Sequence, residues 1–176
     1  MANKRRYIVV AVAVLLTTGA TQAAEWSCVR GPLQAEGDVA AQLHDATAEK
    51  VVEEAPHLGA IARIYADLSK SRKQIRRLRI EWLFSADPDR LFYRDALFSF
   101  AWSESDNAAW IESDGTNRQA AQQQQRLMDV FASHADRSAF MDFMKARVRT
   151  PPLVELYETS GMAISAERAK LDRCFE

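Results

Sequence analysis

The stretch IARIYADLSKSRKQIRRLRIEW, residues 61–82, decides the fold. Ile61, Ile64, Leu68, Ile75, Leu78 and Trp82 recur at helical spacing, with Ser71 in the remaining apolar slot. At about 100° per residue these positions fall within an arc of about 100°, the width of a stripe that faces a core. On the same wheel Arg72 and Arg79 flank the stripe, while Lys70, Lys73 and Arg77 lie opposite it. The basic run at residues 70–79, six positive charges in ten residues, therefore reads as the solvated side of an amphipathic helix. Past Arg79 the helix turns apolar nearly all round at Ile80, Trp82, Leu83 and Phe84, which places this end at the centre of the domain.

Working outward toward the N-terminus, Pro56 or His57 starts this helix, and Asp38 can cap an earlier one running to about Ala55. Residues 25–37 read as irregular, because Gly31, Pro32 and Gly37 are breakers. The two helices carry opposite charge. Residues 38–57 hold Asp38, Asp45, Glu49, Glu53 and Glu54 against Lys50, a net −4, and residues 63–79 hold seven basic residues against Asp67, a net +6. Consecutive helices joined by a short turn pack antiparallel, so the two faces can complement each other within the fold. Exposed ion pairs contribute only about 0–1 kcal/mol each, which selects register more than it adds stability. An anionic partner is the other use of the basic face.

Toward the C-terminus, Asp87-Pro88 is a start signal, and it predicts a helix from Leu91 to about Trp102. Eight of the 16 aromatic residues lie between Trp82 and Trp110. They mark the core, joined by Leu127, Phe131, Phe140, Phe143 and Met144 from later helices. Residues 113–117 read as a loop before a helix capped by Thr116 or Asn117. Asp136 begins a helix to about Arg149, Thr150-Pro151-Pro152 begins another that ends at Gly161, and Ser165 caps the last. The expectation is an all-α compact bundle of six or seven helices. Three heptads serve a bundle interior or a dimer seam equally well, so the oligomeric state stays open.

The first 23 residues read differently. Lys4, Arg5 and Arg6 precede an uncharged run from Tyr7 to Leu16, then small residues up to Ala23. That is the pattern of a secretory signal peptide cut after Ala23, and the run is well short of the roughly 20 residues that span a bilayer. Residues 24–176 are then a single helical domain with no transmembrane segment after cleavage, destined for the periplasm or beyond the cell. Without the leader, 20 basic residues face 24 acidic ones, a net charge of −4.

Cysteine usage agrees with export. Cys28 and Cys174 are the two cysteines, and in an oxidising compartment an even pair forms a bridge. The bridge would hold both ends of the domain together, with Cα atoms about 5.5–6 Å apart.

Candidate chemistry is sparse. His44, His57 and His134 stand alone, and the acidic stretch Glu104, Asp106, Glu112, Asp114 departs from calcium-loop spacing, so no metal or cofactor is expected. No nucleophile elbow appears. Glu81, set between Ile80 and Trp82, could keep a proton in an apolar setting and act as a general acid on peptidoglycan. Residues 103–114, with Trp110, Glu112 and Asp114, suit a binding loop between helices. A basic footprint for duplex binding exists locally, but export separates it from cellular nucleic acid. The leading expectation is a periplasmic, non-catalytic binding protein, such as an inhibitor, immunity factor or adaptor, that engages another envelope or secreted protein. Its candidate binding residues are Lys70, Lys73, Arg76, Arg77, Trp110, Glu112 and Asp114. The alternatives are a small peptidoglycan hydrolase using Glu81, or a surface protein that binds anionic lipid through the 70–79 basic face.

Overall fold

The structure, a computed structural model, describes residues 25–94 and 97–175. The segment read from the sequence as a signal peptide, residues 1–23, lies outside the described residues. Six α-helices occur among the described residues: α1 (Trp26–Glu54), α2 (Gly59–Ala86), α3 (Glu104–Ser113), α4 (Gly115–Ser133), α5 (Arg137–Arg147) and α6 (Leu153–Asp172). Single 3-10 turns at Pro56–Leu58 and Pro88–Arg90 precede α2 and a short ribbon. Cys28 and Cys174 are bridged, with Cα atoms 5.8 Å apart across a separation of 146 residues. The chain is therefore an all-α bundle stapled between its N- and C-terminal regions, as the sequence predicts.

Helix α2 is the central element and buries two faces. Ile61, Leu68, Ser71 and Ile75 of the predicted stripe are buried, and around Ile75 the stripe meets Trp110, Ile111, Ala120 and Ala121 of α3 and α4. A second seam of small residues, Ala62, Ala66 and Ser69, is buried as well. There α1 approaches with Ala48 and Val51, followed by Ala55 at its C-cap. Gly59 permits that approach where the hairpin closes, since a Cβ on it would stand 3.0 Å from Val52 Cγ2. Small facing residues let the two backbones come close, and this brings the basic flank of α2 against the acidic flank of α1.

Helix α1 begins at Trp26 and continues through Gly31, Pro32 and Gly37, where the sequence reading expects an irregular segment. Val29, Leu33, Glu36, Ala40, Leu43, Thr47, Ala48 and Val51 form an unbroken buried face. An interior proline costs a helix about 3 kcal/mol and a glycine about 1 kcal/mol. Burial of Val29 and Leu33 against Ile80, Leu83 and Leu171, at roughly 1.5–3 kcal/mol per side chain, offsets that. The same reasoning corrects the C-terminal expectation. No helix ends at Gly161, because α6 runs unbroken from Leu153 to Asp172 with both Leu153 and Leu171 buried.

The predicted helix from Leu91 to Trp102 is absent. Leu91–Arg94 and Leu97–Phe100 instead pair as two antiparallel strands, β1 and β2, with Leu91 opposite Phe100 and Arg94 opposite Leu97. Aromatic side chains favour a strand, and the signal at Asp87-Pro88 starts only one 3-10 turn. The side chains of Phe92, Tyr93, Phe98 and Phe100 lie outside the described residues. Of the other aromatics in this region, Trp82 and Trp102 stand edge to face at 5.7 Å between ring centroids, and Trp102 and Trp110 at 6.2 Å. Phe140 is buried, and Phe131, Phe143 and Met144 pack beside it as expected of later helices.

Candidate functional site

Charged side chains along the α1–α2 seam gather around one carboxylate. Glu36 on α1 is 3% exposed. Its Oε1 accepts hydrogen bonds from Arg168 Nη2 at 3.0 Å and Nε at 3.3 Å, which ties α6 to α1. From α2, Arg76 Nη1 comes to 3.8 Å and Lys73 Nζ to 4.0 Å. Burial pushes the Arg76 guanidinium below the ordinary arginine range; Glu36 opposes this shift and Arg168 adds to it.

Around this carboxylate opens a groove of about 240 Å³, lined from α1 by Leu33, Gln34, Glu36, Gly37, Asp38 and Ala41. From α2 it is lined by Lys70, Lys73, Gln74, Arg76 and Arg77. All four basic residues singled out in the sequence thus converge on one site. Four cations face two carboxylates there, so the lining is net +2. Arg77 Nη1 donates to the neutral amide oxygen of Gln34. Lys70 donates to Asp45 Oδ1 at 2.7 Å and pairs with Asp67 at 2.9 Å. The run at residues 70–79 is therefore a half-buried seam rather than the solvated side of α2; among its basic residues, Arg72 is the exposed member.

Directly beyond Lys70 the sign reverses. A second groove of about 610 Å³ is lined by Asp45, Ala48, Glu49, Val52, Glu53, Arg63, Ala66 and Asp67, net −3. Lys70 lines the first groove and its partners Asp45 and Asp67 line the second, so the two meet at these ion pairs. One face of the α1–α2 hairpin thus presents a positive and a negative groove end to end.

The other sequence candidates do not join this site. Residues 103–114 are no loop: Ser103 caps α3 in a capping box with Asp106, and only Asp114 separates α3 from α4. Trp110 is fully buried and offers no surface for recognition. Asp114 caps α4, its Oδ1 accepting from Thr116 N–H at 2.6 Å, and Glu112 is exposed. Asp106 accepts hydrogen bonds from Nη1 and Nη2 of Arg90, each at 2.7 Å, which holds its carboxyl well below the usual range. Arg79 lies over the Trp102 and Trp110 rings at 4.7 and 5.2 Å and donates to Asn107, so it pins α3 to α2. Glu81 is exposed, and the apolar enclosure on which an acid role depends is missing.

Glu36 is the residue that sequence reading overlooks. Its signal is the heptad-like series Val29, Leu33, Glu36, Ala40 and Leu43, hidden by the neighbouring breakers. Among the described residues no cluster of three or more His, Cys, Asp or Glu side chains is placed to hold a metal ion. Likewise, no described helix is long and apolar enough to cross a membrane. Comparison with known proteins finds no match, whether to a family model, a curated protein or a solved structure.

Proposed function

We propose that this chain is an exported, non-catalytic binding protein whose α1–α2 face engages another envelope or secreted protein, as an inhibitor, immunity factor or adaptor does. The observation that carries the reading is the pairing of a net +2 groove with a net −3 groove on one face. A folded partner can present both signs in register, and such complementarity sets specificity and encounter rate. An anionic bilayer presents one sign, and the carboxylate groove would repel it. The leader pattern at residues 1–23 and the Cys28–Cys174 bridge support an oxidising compartment such as the periplasm. The exposed position of Glu81 removes the motive for a peptidoglycan hydrolase.

Affinity capture from envelope extract tests this. Wild-type protein and the Lys73→Glu/Arg77→Glu variant are immobilised side by side. A protein retained by the wild type and lost by the variant supports the reading. Equal retention on both sinks the groove as the contact surface.

A further inference from the structure

Outside the lining of the basic groove, but within electrostatic reach of its lysines, stands a titratable ring. His44 lies one helical turn beyond Ala41 on α1, and its Nδ1 is buried with no hydrogen-bond partner among the described residues. The charged groups that act on it are Lys73 and Lys70 from α2 and Asp45 from its own helix. Burial first, then Lys73, holds the imidazole below the ordinary histidine value; Asp45 opposes and Lys70 adds a little. Burial and two neighbouring ammonium groups thus oppose protonation of this ring.

We propose that the basic groove is a proton-coupled receptor for carboxylate: an acidic side chain of the partner enters among Lys70, Lys73 and Arg77, and His44 gains a proton as it does so. This rests on the binding reading above and names the ligand chemistry and regulation of the same site. Three observations carry it. The lining has two positive charges in excess. Arg77 has a neutral amide for its hydrogen-bond partner, and Lys73 reaches Glu36 only at 4.0 Å. At about 240 Å³ the groove is smaller than the ~300–1,000 Å³ of sites that enclose a whole small ligand, which suits a side chain inserted from a larger partner.

The coupling follows from charge. A carboxylate beside Lys70 and Lys73 offsets their repulsion of an imidazolium, so the occupied groove favours protonated His44. By linkage, each proton taken up on binding makes affinity rise as pH falls. No bond forms or breaks; the proton comes from solvent.

Calorimetric titration of the disulfide-intact exported protein with hexa-aspartate peptide is the test, because aspartate carboxylates, with an unperturbed value of about 3.9, stay ionised across the range used. Between pH 7.5 and 5.5 the wild type is expected to tighten about fivefold, the low end of ordinary coupling. His44→Gln, whatever its affinity at pH 7.5, is expected not to tighten as pH falls. His44→Asn replaces it if His44→Gln loses its helical circular dichroism. Equal wild-type affinity at both pH values, or full tightening in the histidine variant, overturns the proton coupling. In that case a tenfold loss in Lys73→Glu leaves the groove standing as the site. If Lys73→Glu binds like the wild type, or the wild type binds at neither pH, the groove reading falls and this inference with it.

Discussion

Arg168 donates two hydrogen bonds to the buried carboxylate of Glu36 from 132 residues further along the chain. That contact joins α6 to α1 at the point where Arg76 and Lys73 arrive from α2. One buried anion in the basic groove therefore holds cations from two helices in place.

Removing that anion is expected to cost more than removing any one cation. Breaking a buried pair typically costs about 3–5 kcal/mol. The three cations retain side-chain exposures of 33–40% against 4% for Glu36, so water relieves part of the penalty, and roughly 2–3 kcal/mol is expected for Glu36→Gln. Arg168→Met costs about 1 kcal/mol, in the range of an ordinary hydrogen bond, because Glu36 keeps two other cations. Urea denaturation of both variants checks the ranking; an equal or reversed order contradicts it.

Closure of the loop from Cys28 to Cys174, a separation of 146 residues, restricts the unfolded chain. Chain-entropy arithmetic gives up to about 5 kcal/mol for a loop of this length. Cys28→Ser/Cys174→Ser is expected to remain helical by circular dichroism in buffer but to unfold at much lower urea. An unchanged midpoint would mean that the bridge adds nothing.

The glycines report on helix continuity. In α6 a Cβ on Gly161 meets nothing within 4 Å, whereas on Gly59 it meets Val52 Cγ2 at 3.0 Å. Gly161→Ala is therefore expected to gain about 0.5–1 kcal/mol of stability through helix propensity, and Gly59→Ala to gain none. Were Gly161 the end of a helix, as its sequence context suggests, alanine there would bring no gain.

Stability should fall in mild acid because of His44. Its folded value lies below the ordinary 6.5, so between the two values the unfolded chain binds more protons. The stability present above 6.5 is lost as pH drops through that window. Thermal midpoints at pH 7.5 and 5.5 should differ for the wild type and differ less for His44→Gln. An identical shift in both assigns the loss to other groups.

Periodicity and cysteine count, both visible over short windows or by composition, made the helical class and the Cys28–Cys174 bridge legible. The charge complement was legible as well, and Lys70 with Asp45 realises it at 2.7 Å. What escaped was decided by tertiary packing. Gly31, Pro32 and Gly37 carry local breaking signals that burial of Val29 and Leu33 overrides, so Glu36 was masked along with the first third of α1. The ribbon at Leu91–Phe100 followed a start signal that holds for one turn only. Trp110 reads as core by default and also as a binding candidate, and its position between α2 and α4 settles it as core.

The most direct measurement concerns the acidic half of the face. Glu49→Lys/Glu53→Lys leaves Lys70, Lys73, Arg76 and Arg77 untouched and reverses the neighbouring groove. If a folded partner reads both signs together, its retention by this variant falls at least tenfold relative to the wild type. Unchanged retention, or stronger binding to anionic vesicles with no protein partner lost, would contradict the two-sign face and the function drawn from it.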